Sequence, residues 1–203
     1  MRRTLVVYSD GACKFNPGPG GYGAIIYDTE TGAETSTTGA SADSTNGRME
    51  LTAAIEGIRA AMAWHPEEPL PDIVLCSDAT YVGWALSVNW RLKKLSKEVA
   101  TNIDLIQALH TLLEPYTQAG GPSIEYRWVK GHSGDSFNER ADALARGAVE
   151  KLMGGIKLSN RLPTAKPYED EDPKESTLSR EVSMDCTVRP VPKYRLRVLS
   201  KKE

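Results

Sequence analysis

The chain has 203 residues, 40% of them apolar and 26% charged, which suits one packed domain with an extra segment and excludes disorder throughout. No apolar run is long enough to span a bilayer, and the few apolar residues after Arg2 and Arg3 are too short for a secretory signal, so a cytoplasmic protein is expected. The formal net charge of −2 is uneven: residues 1–155 hold 14 Lys+Arg against 19 Asp+Glu, and residues 156–203 hold 11 against 8. An acidic majority does not advertise a nucleic-acid binder, although that objection weakens where carboxylates bind cations. Cys13, Cys76 and Cys186 are odd in number and lack Cys-x-x-Cys spacing, which argues against a zinc site or a disulfide framework and for reduced thiols.

The pattern opens with strands. Leu5–Tyr8 is a β-rich apolar run closed by Ser9-Asp10-Gly11, and the Gly/Pro-dense stretch from Cys13 to Gly21 must turn. Tyr22–Tyr27 reads as a second strand and the polar Glu34–Thr38 as a third, an antiparallel meander. The period then changes. Leu51, Ala54, Ile55, Ile58 and Met62 share one helix face, with Ser44, Thr45 and Asn46 as cap candidates and Pro66 and Pro69 as terminators. Ile73–Cys76 fits a central strand buried on both faces, ending at Ser77-Asp78. Helices are expected over Thr80–Ser87 and Asn102–Leu113, a strand over Ile124–Val129, and a last helix from Ser136 to Met153. The order predicts an α/β fold with a mixed sheet and packed helices. Residues 163–176 read as a Pro- and charge-rich linker, and Val188–Lys202 holds six basic residues and no acid.

Asp10 and Asp78 each follow an apolar strand. If those strands are neighbours, both carboxylates emerge at one sheet edge, where sites form in α/β sheets. Glu50 lies near the start of the first long helix and Asp142 in the last, so four acids from distant sequence could converge. Each alone has an ordinary reading: a turn residue, a helix-dipole complement, a solvated face. Bunched carboxylates raise one another's pKa, and hard divalent cations remove that cost.

Five stretches resemble type 1 ribonuclease H, close to its bacterial form. They are Tyr8-Ser9-Asp10-Gly11 with Asn16–Gly23; Thr45–Leu51 continuing to Ala53-Ala54-Ile55; Ser77-Asp78 with Tyr81-Val82; Trp128–His132; and Asn138–Asp142 with Leu144-Ala145. They recur in family order over about residues 4–150. The resemblance implies the ribonuclease H-like fold, a mixed five-stranded sheet (antiparallel meander plus parallel strands) flanked by helices. It implies an endonuclease that hydrolyses the RNA strand of RNA–DNA hybrids with two Mg²⁺ ions, Mn²⁺ being able to substitute, and leaves 5′-phosphate and 3′-hydroxyl ends.

On that resemblance Asp10, Glu50, Asp78 and Asp142 fall on metal-binding acids and His132 on a catalytic histidine in a loop. Asn16, Thr45 and Asn46 fall on hybrid-contacting positions, with turn and cap chemistry as the ordinary alternative. Gly11 would allow nucleic-acid backbone to approach. Residues 88–101, shorter than the basic protrusion of the best-known bacterial enzymes, keep Trp90, Lys93 and Lys94 as a reduced substrate handle, or as a solvated helix face. Gly47 and Ala79-Thr80 depart from the family pattern. His65 and His110 match nothing and read as surface or packing residues. The expected organisation is a catalytic domain over 1–155 and an extension over 156–203, in a monomer whose partner is the hybrid and not a membrane. The rival is a binding module of the same fold without turnover, which a missing acid would have favoured; all four acids are present.

Overall fold

The computed structural model describes residues 2–66, 68–87 and 102–155. Among them are five strands, β1 (Thr4–Cys13), β2 (Gly18–Asp28), β3 (Glu34–Ser44), β4 (Asp72–Ser77) and β5 (Ile124–Trp128). Four helices accompany them: α1 (Asn46–Trp64), α2 (Thr80–Leu86), α3 (Ile103–Leu112) and α4 (Ser136–Gly155), with a 3₁₀ turn at Glu114–Thr117. The sheet order is β3-β2-β1-β4-β5, antiparallel from β1 to β3 and parallel from β1 through β4 to β5. This is the mixed sheet expected from the order of elements.

Strand alternation sorts β1 between two helical layers. The space where a side chain would stand at Gly57 of α1 is filled by the Cγ1 of Val7, while the Tyr8 ring stacks on Phe137 of α4 at 4.9 Å between centroids. Leu51, Ala54, Ile55 and Ile58 of α1 bury their shared face, with Met62 partly buried at its end. Ile106, Leu109 and Leu113 do the same around α3. On the other side α4 lies directly on β2: a Cβ on Gly23 would stand 2.4 Å from the Ala141 carbonyl oxygen, so only glycine lets the helix come so close. Several elements differ in extent from the sequence expectation. β2 begins at Gly18, so Gly18–Gly21, expected in a turn, are strand paired with β1 and β3. β3 runs on to Ser44, because pairing with β2 from Gly18 to Tyr27 carries a polar strand that its own composition would not mark. α4 continues through Gly154, and β1 continues past Asp10 to Cys13.

Trp90, Lys93, Lys94 and the rest of 88–101, together with the extension 156–203 and Cys186, lie outside the described residues. No helix among the described residues is long and apolar enough to cross a membrane.

At the far end of the sheet Asp28 is fully buried. Its carboxylate accepts from the Glu30 N–H (2.9 Å), from the Thr31 hydroxyl (2.8 Å) and from the guanidinium of Arg3, which also grips Glu68 with two bonds of 2.9 and 2.8 Å. Burial opposes the Asp28 charge, but the donors from Glu30, Thr31 and Arg3 outweigh it and hold the carboxyl down at about 2. A depressed carboxyl contributes its full stability above its ordinary value of 3.8 and loses it as pH falls through about 2. Asp28→Asn should therefore be less stable than the parent at neutral pH, and the gap between their urea midpoints should close as pH falls from about 4 to about 2.

Candidate active site

The parallel ladder of β1 and β4 ends at the pair Tyr8–Cys76, and two residues further along each strand are Asp10 and Asp78. Asp78 stands just past the end of β4. Asp10 does not end its strand, as the sequence had suggested. It pairs with Gly23 on the β2 side while its β4 side opens, so a crevice forms at the carboxyl end of β4. Thr45 caps α1, its hydroxyl accepting from the Arg48 N–H at 3.4 Å, and this entry geometry brings the first turns of the helix to the crevice. Glu50 reaches in from there. Its Oε2 accepts from the Gly11 N–H (3.1 Å) and its Oε1 from the Asn46 amide (3.4 Å).

Carboxylate oxygens of Asp10, Glu50 and Asp78 lie within 4.8 Å of one another. Burial, then the charges of Asp78 and Asp142, push the Asp10 carboxyl up to about 7. Burial, then Asp10 and Asp78, raise Glu50 well above the usual carboxylate range. Three acids from three elements, two of them buried, are thus held where their charges oppose one another. Such a site favours whatever neutralises it, and an all-oxygen donor set fits a hard divalent cation. These residues can hold a divalent metal.

Asp142 projects from α4 toward Asp10 and raises it, but stands apart from the trio. Its carboxylate is paired with Arg146, one turn further along the helix, at 2.7 Å. Arg146 is a residue the sequence reading missed, although the i,i+4 spacing to Asp142 was there to be read. His132 lies exposed in the loop between β5 and α4 with φ 51°, among the described residues the one non-glycine in the left-handed region. The loop holds it in a sparsely populated conformation, a recurrent property of functional loops.

The Asn16 side-chain oxygen accepts from the Asn46 N–H at 3.1 Å, and both residues are exposed beside the crevice. The turn-and-cap chemistry considered for Asn16, Thr45 and Asn46 is therefore present, with Asn16 and Asn46 still exposed. Gly11 has a structural reason for being glycine: a Cβ there would stand 2.4 Å from the Glu50 nitrogen and 2.5 Å from the Met49 carbonyl carbon. Gly47 has no such reason, since a Cβ there would make only ordinary contacts, the nearest with Asn102 at 3.7 Å. Beside it Arg48 binds Asp104 of α3 with bonds of 2.9 and 2.6 Å, a tie across 56 residues that no local pattern announces. His110 is buried, its Nε2 2.8 Å from the Ala85 carbonyl, which is the packing role expected. His65 is half-buried near Asp28.

The family model for RNase H matches residues 2–150. The chain belongs to the ribonuclease H family. It is 42% identical over 161 residues to a ribonuclease H of Polaromonas naphthalenivorans, covering 75% of this chain and 91% of that one. A ribonuclease H of Hydrogenovibrio crunogenus is 40% identical over 154 residues, covering 73% and 97%. Among solved structures, the N-terminal RNase H domain of a Mycobacterium tuberculosis protein matches with a TM-score of 0.55 at 23% identity, over 75% of this chain and 97% of that one. LC11-RNase H1, solved in complex with an RNA/DNA hybrid, matches with a TM-score of 0.54 at 17% identity, over 73% and 99%. The solved structures establish the shared fold, and the family match with the curated relatives makes this chain a ribonuclease H enzyme, a hydrolase of the endonuclease kind. With all four acids in place, the rival of a binding module without turnover is not favoured.

Proposed function

We propose that this ribonuclease H cuts the RNA strand of RNA–DNA hybrids at the crevice of Asp10, Glu50, Asp78 and Asp142, leaving 5′-phosphate and 3′-hydroxyl ends. The carboxylate trio carries the reading: three acids whose oxygens lie within 4.8 Å, in a chain of this family, fit a pair of Mg²⁺ ions, with Mn²⁺ as a substitute. Bound there, the cations would supply an activated water and stabilise the departing oxygen of the phosphodiester. Asp10 and Asp78 would hold them from the sheet and Glu50 from α1, with Asp142 joining from α4.

His132, exposed at the rim, takes and returns the proton that hydrolysis moves, as an imidazole near neutrality is able to do. His132→Ala should lower kcat roughly 10²-fold or more with KM little changed, measured as steady-state hybrid cleavage. Asn16, Thr45 and Asn46 touch ribose and phosphate oxygens of the hybrid beside Gly11, and Trp90, Lys93 and Lys94 add phosphate affinity. Asn46 bonds Glu50 and Asn16 bonds the Asn46 N–H, and both are exposed, which supports that role. The same reading takes the protein as a cytoplasmic monomer, with residues 1–155 as its catalytic domain and 156–203 as an extension.

The test is incubation with labelled RNA–DNA hybrid, duplex RNA and duplex DNA. Loss of only the hybrid's RNA strand, with 5′-phosphate product ends, supports the reading. Equal cutting of duplex DNA would contradict it.

A further inference from the structure

The end of β4 is held by the strand beside it in an unusual amount of detail. The Trp128 indole N–H donates to the Asp78 carbonyl at 2.9 Å. The Tyr126 hydroxyl stands 3.2 Å from the Ser77 carbonyl oxygen and 3.0 Å from that of Ala79, and with one proton it donates to one of them at a time. The Val129 N–H donates to Ser77 O at 3.1 Å, and the Ser77 hydroxyl accepts from the Ala79 N–H at 3.2 Å. Three consecutive carbonyls, with Asp78 in the middle, thus face donors carried by β5 and the residue after it. The following loop closes on the same carboxylate, since a Cβ on Gly131 would stand 2.3 Å from Asp78 Oδ2.

A second observation comes from α2. Gly83 sits inside that helix, where glycine costs about 1 kcal/mol against alanine. A Cβ there would lie 2.3 to 2.8 Å from three atoms of the Tyr126 ring. The missing side chain is what lets the ring lie under α2 with its hydroxyl at the turn. Trp128 meanwhile is 49% exposed, so the packing of its ring does not account for its orientation, whereas the bond to Asp78 does.

We propose that Tyr126 and Trp128 are positioning residues: together they fix the Ser77–Ala79 turn so that the Asp78 carboxylate is aimed at the cation site before any cation arrives. Both rings reach the turn through hydrogen bonds to its backbone carbonyls. They act through the backbone of Asp78, and Gly83 provides the room for one of them. The proposal rests on Asp78 being a metal ligand.

The experiment compares Tyr126→Phe, Trp128→Phe and the double variant with the parent and with Asp78→Asn. Tyr126→Phe keeps the ring and removes only the hydroxyl, while Trp128→Phe keeps a flat ring, smaller than the indole, and removes the N–H donor. Mg²⁺ affinity of the substrate-free proteins is read by calorimetry, kcat and KM by hybrid cleavage, and folding by thermal denaturation. Each single variant should lose roughly three- to tenfold in Mg²⁺ affinity and in kcat, the worth of one hydrogen bond, with the double variant losing more. KM should stay within about twofold. Unchanged Mg²⁺ affinity and kcat alongside a lower melting temperature would overturn the proposal, leaving a packing role only. A change confined to KM would overturn it too and would make the exposed Trp128 face a substrate surface. Asp78→Asn separates the two levels of failure. If it loses Mg²⁺ affinity while the Phe variants keep theirs, the positioning inference alone fails. If it also keeps full affinity, Asp78 is no ligand and the reading beneath the inference falls with it.

Discussion

Asp10→Asn should lower kcat about 10³-fold or more while hybrid binding survives, because several kcal/mol of transition-state stabilisation go with a metal-holding carboxylate and each 1.36 kcal/mol is tenfold in rate. The amide keeps the shape of the carboxylate and removes its charge. Charge is what the site lacks a partner for: Asp10 is buried and raised by burial and by Asp78 and Asp142. In EDTA at pH 7 and above, the same variant should therefore melt at a higher temperature than the parent, since a carboxyl raised from 3.8 to about 7 costs folding stability there and the amide does not. Each kcal/mol relieved corresponds to about 2–4 °C in a domain of this size. Activity and stability move in opposite directions, an outcome that a merely structural Asp10 would not give. Steady-state cleavage and a thermal melt of the same preparation check both signs.

Gly11→Ala should reduce both. Its new methyl would stand within 2.4 to 2.9 Å of three backbone atoms, the Glu50 nitrogen and Cα and the Met49 carbonyl carbon, and backbone does not yield as a flexible side-chain end would. The start of α1 must shift away from β1. Overpacking of this kind costs about 1–3 kcal/mol of folding stability. The shift also moves Glu50 and breaks its 3.1 Å bond to the Gly11 N–H. A misplacement of about 1 Å in a catalytic group costs roughly 10²-fold in kcat. Urea denaturation and kcat measured together distinguish this from a loss of substrate contact at Gly11, which would raise KM and leave the denaturation midpoint in place.

Much of the site was legible because it rests on local signals. The apolar run Ile73–Cys76 marked a buried strand with Asp78 just past its end, whereas Asp10, expected at a strand end, lies within β1 two residues beyond its last pair with β4. The Leu51–Met62 periodicity set a helix with Glu50 near its start, and Thr45 was among the cap residues named for it. The limits of the elements were less legible. β1 extends beyond Asp10 because β2 continues to pair with it, and β3 is a polar strand defined by its neighbour. Pairing across strands fixes both, and a window along one strand does not see it. The same holds for the ties that set the site's geometry. Arg48 to Asp104, Trp128 to Asp78 and Tyr126 to the Ser77–Ala79 turn each join residues about 50 apart, and only the packed sheet brings them together. Gly11 and Gly83 were readable as glycines but not as the spaces that α1 and Tyr126 occupy.

The centre itself is tested most directly by stripping the protein with EDTA and returning Mg²⁺ in steps, with a hybrid labelled on both strands. Cleavage of the RNA strand alone should be absent in EDTA, should return with a dependence on Mg²⁺ steeper than one binding site gives, and should not return in Asp10→Asn. Undiminished cleavage in EDTA, or recovery by Asp10→Asn equal to the parent, would contradict a divalent-metal centre built on these carboxylates.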